Sequence, residues 1–158
     1  MPLPTINKTA EIADAVAQSL MVYFGGAYCA RVYSPTVDLK SLQTFAILVM
    51  AKGHSIKVID RATNVETHQV DVGLLRKVDP SDPADVDAMM LELEKLKLLF
   101  AIRDDDDLNL WEHQGALRDE EMAGAEWTAL ANDLLYDQSS LTDGQFFSVV
   151  TLDYELTR

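Results

Sequence analysis

Cysteine is almost missing from this sequence. Cys29 stands alone, so no disulfide can form within the chain, and synthesis in a reducing, intracellular compartment is the simpler expectation. Long apolar runs are missing too. The longest stretches, such as Phe45–Ala51, fall far short of the ~20 residues that a membrane-crossing helix needs. Met1-Pro-Leu-Pro-Thr carries neither the basic segment nor the apolar stretch of a secretory leader, so none is expected. Basic residues are scarce: 13 Lys and Arg face 26 Asp and Glu, for a net charge of −13. The imbalance is local, because residues 1–80 hold eight basic and seven acidic side chains whereas residues 81–158 hold five and 19. Affinity for nucleic acid through a basic patch depends on Lys and Arg neutralising phosphates, so that class is disfavoured.

The acidic half keeps strong apolar periodicity, which a disordered acidic tail would lack. Three readings of its charge follow. It is a solvated face that keeps the protein soluble, a surface that repels phosphate around a DNA passage, or a mimic of DNA that occupies a basic partner groove. At 158 residues, with no repeat and no low-complexity linker, the chain is expected to be a single domain able to fold without metal or disulfide.

Periodicity predicts a helix over Thr9–Phe24, with Ile12, Val16, Leu20 and Tyr23 on one face, Asn7 or Thr9 as cap, and Gly25-Gly26 as stop. Tyr28–Tyr33 is predicted as a strand. Residues 45–78 look like an antiparallel run: Phe45–Lys52, apolar on both faces; a turn at Gly53-His54; a strand Ser55–Arg61; a hairpin at Ala62-Thr63-Asn64; and Val65–Val78, in which Val70, Val72, Leu74 and Val78 alternate with polar residues. Arg76 breaks that face and is expected at the strand end, reaching water along its stem. Asp79-Pro80-Ser81-Asp82-Pro83 is strong punctuation, with Ser81 or Asp82 capping a helix that runs to about Ile102. That helix has two stripes. Val86, Met89, Met90, Leu93, Leu96 and Phe100 form one, and Leu91, Leu98 and Ile102 form another on the opposite side, facing either the last helix or a neighbouring subunit. Glu120–Leu135 is predicted as a third helix with Trp127, Leu130, Ala131 and Leu134 inward. A loop over Tyr136–Gly144 and a closing strand over Phe146–Leu156 follow. The sum is an α+β domain: an antiparallel sheet of four to five strands with an N-terminal helix and two further helices packed on it.

Chemistry-bearing motifs are few. Arg103-Asp104-Asp105-Asp106-Asp107 fails the calcium-loop pattern, with Leu110 where glycine belongs and Ala116 where a bidentate glutamate belongs. His54, His68 and His113 are far apart in sequence and show no metal-ligand spacing, and Cys29 is expected to be a small core residue. No phosphate-binding glycine loop or nucleophile elbow occurs. The expectation is a protein without catalytic residues, cofactor or metal.

Two stretches, Asp71-Val-Gly-Leu-Leu-Arg-Lys-Val-Asp-Pro-Ser-Asp-Pro-Ala-Asp-Val-Asp-Ala-Met-Met and Gln145-Phe-Phe-Ser-Val-Val-Thr-Leu-Asp-Tyr, resemble the tail-terminator or tail-completion (neck) proteins of long-tailed bacteriophages, as do the element order, the size and the N-terminal amphipathic helix. The resemblance implies a small α+β virion subunit, assembled in the host cytoplasm, that forms a ring, usually a hexamer, at the head-proximal end of the tail. Such a ring stops tube polymerisation, contacts the tail tube protein and the head-side connector, and lets double-stranded DNA pass without specific binding. It carries no catalytic residues across. Its contact surfaces would be sheet edges, hairpins and helix stripes, with Leu91, Leu98 and Ile102 as subunit-interface candidates. The competing class is the acidic adaptor or DNA mimic.

Overall fold

The computed structural model describes residues 7–25, 27–34, 45–102 and 111–158. The chain is α+β, with a five-stranded sheet in the order β1-β2-β3-β5-β4. Helix α1 spans Lys8–Tyr23. Asn7 caps it, its side-chain oxygen accepting from the Ala10 N–H at 3.2 Å, and Ile12, Ala13, Val16, Ala17 and Leu20 are buried along one face. That face lies on β1 (Tyr28–Arg31), β2 (Ala46–Val58) and β3 (Asn64–Lys77).

The sheet is mixed, which corrects the purely antiparallel expectation. β1 runs parallel to β2, pairing Tyr28 with Ala46 through Arg31 with Val49, whereas β2–β3, β3–β5 and β4–β5 are antiparallel. A parallel neighbour needs a connection that returns along the sheet, and the residues between Arg31 and Ala46 are too many for a hairpin.

A second correction concerns Gly53-His54, which is not a turn. β2 is one strand, and the ladder absorbs Lys52 as an extra residue between Ala51, opposite Val70, and Gly53, opposite Gln69. The bulge reverses the alternation. Ile47 and Val49 face α1 before it, and His54, Ile56 and Val58 face that side after it, opposite His68, Glu66 and Asn64. That change of phase made one strand look like two.

The predicted hairpin does connect β2 to β3, and Ala46, Ile47, Leu48 and Val49 are fully buried, as a strand covered on both sides requires. On the face away from α1, Ala46, Leu48 and Leu75 form a small cluster with Val32 and Phe147. At the end of β3, Arg76 does not simply reach water. It pairs with Asp85 in the first turn of helix α2 (Pro83–Leu98), while the same carboxylate accepts from the Asp79 N–H at 2.9 Å. Asp82 caps α2, with Pro83 as its first residue.

Met89, Leu93 and Leu96 of α2 are buried, as are Leu99 and Phe100 beyond it. The helix stops at Leu98, short of Ile102, because residues 111–118 bond its end: Gly115 N–H donates to Leu98 O at 2.7 Å and Leu117 N–H to Leu99 O at 2.8 Å. Gly115 has φ +71°, and a Cβ there would lie 2.8 Å from Ile102 Cγ1, so glycine is required twice over.

The predicted helix over Glu120–Leu135 is absent. Ala123 and Gly124 both have positive φ, 52° and 85°, and Met122 and Ala125 exchange backbone hydrogen bonds of 2.9 and 3.0 Å across them. Two successive left-handed residues make a tight hairpin and end any right-handed helix. The chain continues as edge strand β4 (Glu126–Ala131), in which Trp127 and Leu130 face the core beside Tyr154 and Leu152, while Leu134 is exposed. The short helix α3 (Gln138–Thr142) lies where a loop was expected, and β5 (Gln145–Thr157) closes the sheet. Phe146, Ser148, Val150, Leu152 and Tyr154 are its buried face. Ser148, the one polar member, accepts from Asn132 Nδ2 at 3.1 Å.

The second stripe of α2 is divided. Leu91 and Ile102 are 45% and 58% exposed, but Leu98 is fully buried inside the subunit and is corrected from an interface candidate to a core residue. Leu98→Asp is therefore expected to destabilise the fold by about 3–5 kcal/mol through an unpaired buried charge. Leu91→Asp should change stability by under about 1 kcal/mol. Urea unfolding followed by circular dichroism checks both, and equal effects would contradict this division of the stripe.

Candidate functional site

Beyond the N-terminal end of α1 the buried face of the sheet changes character. The apolar series Leu74, Val72, Val70 continues along β3 as His68 and Glu66, both buried. His54 on β2 lies directly opposite His68, and Tyr154 on β5 flanks it on the other side. Three neighbouring strands therefore bring ionisable groups together, and the first turn of α1 adds the Thr9 hydroxyl.

Glu66 is its hub. Its Oε1 lies 2.8 Å from His54 Nε2 and 3.5 Å from His68 Nε2. Arg158 grips the same carboxylate from the end of the chain, through Nε to Oε2 and through Nη2 to Oε1 at 3.2 Å. The two imidazoles are stacked, with ring centroids 4.2 Å apart and planes 8° from parallel. His68 Nδ1 is 2.8 Å from the Thr9 hydroxyl, a bond that ties α1 to the sheet.

Buried charge is tolerated only when paired, and Glu66 is paired twice. The Arg158 hydrogen bond, helped by that from His54, holds the Glu66 carboxyl below the usual carboxylate range against the opposing effect of burial. Burial pushes His68 below the ordinary imidazole value. The His54 ring, Arg158 and Lys8 act in the same direction, and Glu66 opposes them. His68 is thus held neutral. Its Nε2 has no hydrogen-bond partner among the described residues, nor has the Tyr154 hydroxyl, and burial raises the phenol's pKa. A cleft of ≈ 380 Å³ lined by Asn7, Thr9, Arg31, Tyr33, Lys52 and His54, among others, leads to the exposed edge of His54.

The expectation that the histidines stay apart is thus half overturned. His113 is separate, packed edge-on to Tyr23 and Trp111, but His54 and His68 meet. Treating Gly53-His54 as a turn concealed the pair. Pairing counted outward from the hairpin, Val58 with Asn64 and Ile56 with Glu66, leads straight to His54 with His68. Cys29, expected in the core, is half-buried and packs against it: its thiol donates to Ala17 O at 3.3 Å, and burial pushes its pKa up to about 11. The Arg103–Asp107 run lies outside the described residues. Of the interface candidates, Leu91 and Ile102 are exposed and neither belongs to this cluster. No helix among the described residues is long and apolar enough to cross a membrane. Comparison of the sequence with protein families and with curated proteins finds no match.

Stability should depend on pH through His68 in a defined direction. Its folded pKa is below the unfolded value of 6.5, so the unfolded chain binds the extra proton first, and stability falls as pH drops from about 6.5 towards the folded pKa. Glu66 has a depressed folded pKa, and its contribution is lost only in more acidic solution, as pH falls through that value. Urea midpoints measured between pH 7.5 and pH 5 with EDTA present should decline, and His68→Gln should flatten that decline. An unchanged slope in the variant would assign the pH dependence to other groups.

Proposed function

We propose that this chain is a structural subunit of a long-tailed bacteriophage neck, a tail-terminator or tail-completion protein that assembles as a ring, in the manner of a hexamer, between the tail tube and the head-side connector. The observation that carries the reading is the outer half of the β2–β3 hairpin. Helix α1 covers the sheet only as far as His68, and past that point Ile56, Val58 and Ile59 are 59%, 70% and 54% exposed. Among the described residues β1 pairs only with Ala46–Val49, and no other described strand pairs with Met50–Val58 on that side, so this length of β2 presents a strand edge there. An apolar hairpin with a free edge is a surface suited to strand addition or to packing against another subunit.

Two further observations support the same reading. The stretches that carry the family resemblance are hydrogen-bonded neighbours, Asp71–Lys77 pairing with Thr151–Gln145, so the resemblance falls on one continuous piece of structure. Glu112, Asp119, Glu120, Glu121, Glu126 and Asp133 are all exposed on one stretch of the acidic half. Carboxylates of that kind along a DNA passage would weaken adhesion and let a duplex slide. The chemistry of such a subunit is complementarity of surfaces, with no reaction performed. A DNA mimic would use the same acidic groups but gives no role to the apolar hairpin.

Sedimentation and negative-stain microscopy of the chain, alone and mixed with a tail-tube protein of the phage it comes from, test this. Rings closing the tube end are expected, and a chain that stays monomeric and leaves tube polymerisation unchanged would refute the proposal. Ile56→Asp with Val58→Asp should abolish assembly while changing subunit stability by no more than about 0.5 kcal/mol per site, the usual range for exposed positions. The wild-type protein should show negligible affinity for duplex DNA even at low salt in a filter assay. Tight, salt-sensitive retention would overturn the repelling passage.

A further inference from the structure

The stacked histidines and their shared carboxylate carry an inference independent of the ring. We propose that His54 Nε2, Glu66 Oε1 and His68 Nε2 form a binding site for a divalent transition-metal ion of the zinc type. Ligand atoms from these three side chains all lie within 4.8 Å of one another. Bonds of ~2.0–2.1 Å at tetrahedral angles separate donor atoms by about 3.3 Å. The two observed separations from Glu66 Oε1, 2.8 and 3.5 Å, bracket that spacing.

Ion pairing alone accounts for Glu66, which Arg158 and His54 satisfy, but it leaves His68 unexplained. His68 is fully buried, and its Nε2 is aimed at Glu66 from 3.5 Å, too far for a good hydrogen bond. When an ion sits on Nε2, the Nδ1–H donates to the Thr9 hydroxyl 2.8 Å away, and the Nε2 lone pair and the Glu66 carboxylate then face the same cation. Thr9 is the kind of outer partner that fixes a ligating imidazole's tautomer, and Arg158 on Oε2 orients the carboxylate in the same way. His68 is fixed by Thr9, whereas the His54 side chain is 37% exposed and borders the cleft. His54 is therefore the ring that turns out of the stack to complete the site, and the cleft is the ion's path. Two imidazoles with one carboxylate suit zinc, cobalt or nickel and are a poor set for calcium or magnesium.

The test is Zn²⁺ titration of the full chain by calorimetry, paired with thermal unfolding and with the visible absorption of added Co²⁺. One saturable equivalent, a Tm that rises with Zn²⁺, and a Co²⁺ spectrum of mixed nitrogen and oxygen ligation are expected. His54→Ala and Glu66→Gln should abolish all three. Thr9→Val, close in shape, should weaken affinity by about 10- to 100-fold. His54 is half-exposed, so its variant is expected to fold, and circular dichroism checks this. Absence of saturable Zn²⁺ binding would overturn the proposal. So would wild-type binding in both His54→Ala and Glu66→Gln, which would move the ion to carboxylates elsewhere on the acidic surface.

Discussion

β3 is hydrogen-bonded along nearly its whole length on both sides, Asn64–Leu75 to β2 and Val65–Lys77 to β5, and every other placement in the molecule answers to that double ladder. Side chains alternate strictly along a strand, so fixing β3 fixes which residues of three strands face the helices. The ladder is longer than α1 can cover. Where the helix covers it, the inner face is Leu74, Val72 and Val70 with their partners Ile47, Val49, Val150 and Leu152. At the margin of that cover the face becomes His68, Glu66 and His54, and beyond it Ile56 and Val58 are exposed. One sheet face thus passes from dry core through a polar, paired zone to open apolar surface.

The polar zone is the seam between the other two. An ionised Glu66 at 4% exposure is sustainable because Arg158 and His54 meet it, and Thr9 closes the ring of partners from α1. The seam joins the start of α1, the middle of the hairpin and the last residue of the sequence, whose backbone pairs with Asn64. Forces applied to the hairpin by a partner would reach the helix through these contacts.

Much of this was legible in the residues themselves. α1, β3, α2 and β5 carry clean apolar periods, and Asn7 and Asp82 announce their helices by capping chemistry. The parts that were not legible failed for particular reasons. The stretch from β4 onward carries Trp127, Leu130, Ala131 and Leu134 at helical spacing, and the overriding signal, two left-handed residues at Ala123-Gly124, includes an alanine that seldom adopts that conformation. The direction of β1 depends on a long-range pairing that local pattern does not encode. The cluster needed the register of β2 past Lys52, which a turn-like Gly53-His54 disguised. Leu98 lies opposite the main stripe of α2 by angle, yet residues 111–118 fold back over the helix end and the side chain is enclosed.

The single extra residue at Lys52 acts as a phase shifter. Were Lys52 held in the ladder instead of looped out of it, the outer half of β2 would slip by one place against β3, turning His54, Ile56 and Val58 to the opposite side of the sheet and setting Ser55 and Lys57 opposite Glu66 and Asn64. Loss of one residue between Ala51 and His54 would straighten the strand and keep His54 opposite His68, so the pairing is fixed by the ladders on either side and the bulge takes up the residue left over. Lineages descended from this sequence should tolerate exchanges at Lys52 and Gly53, and the loss of one of them, more readily than a further insertion.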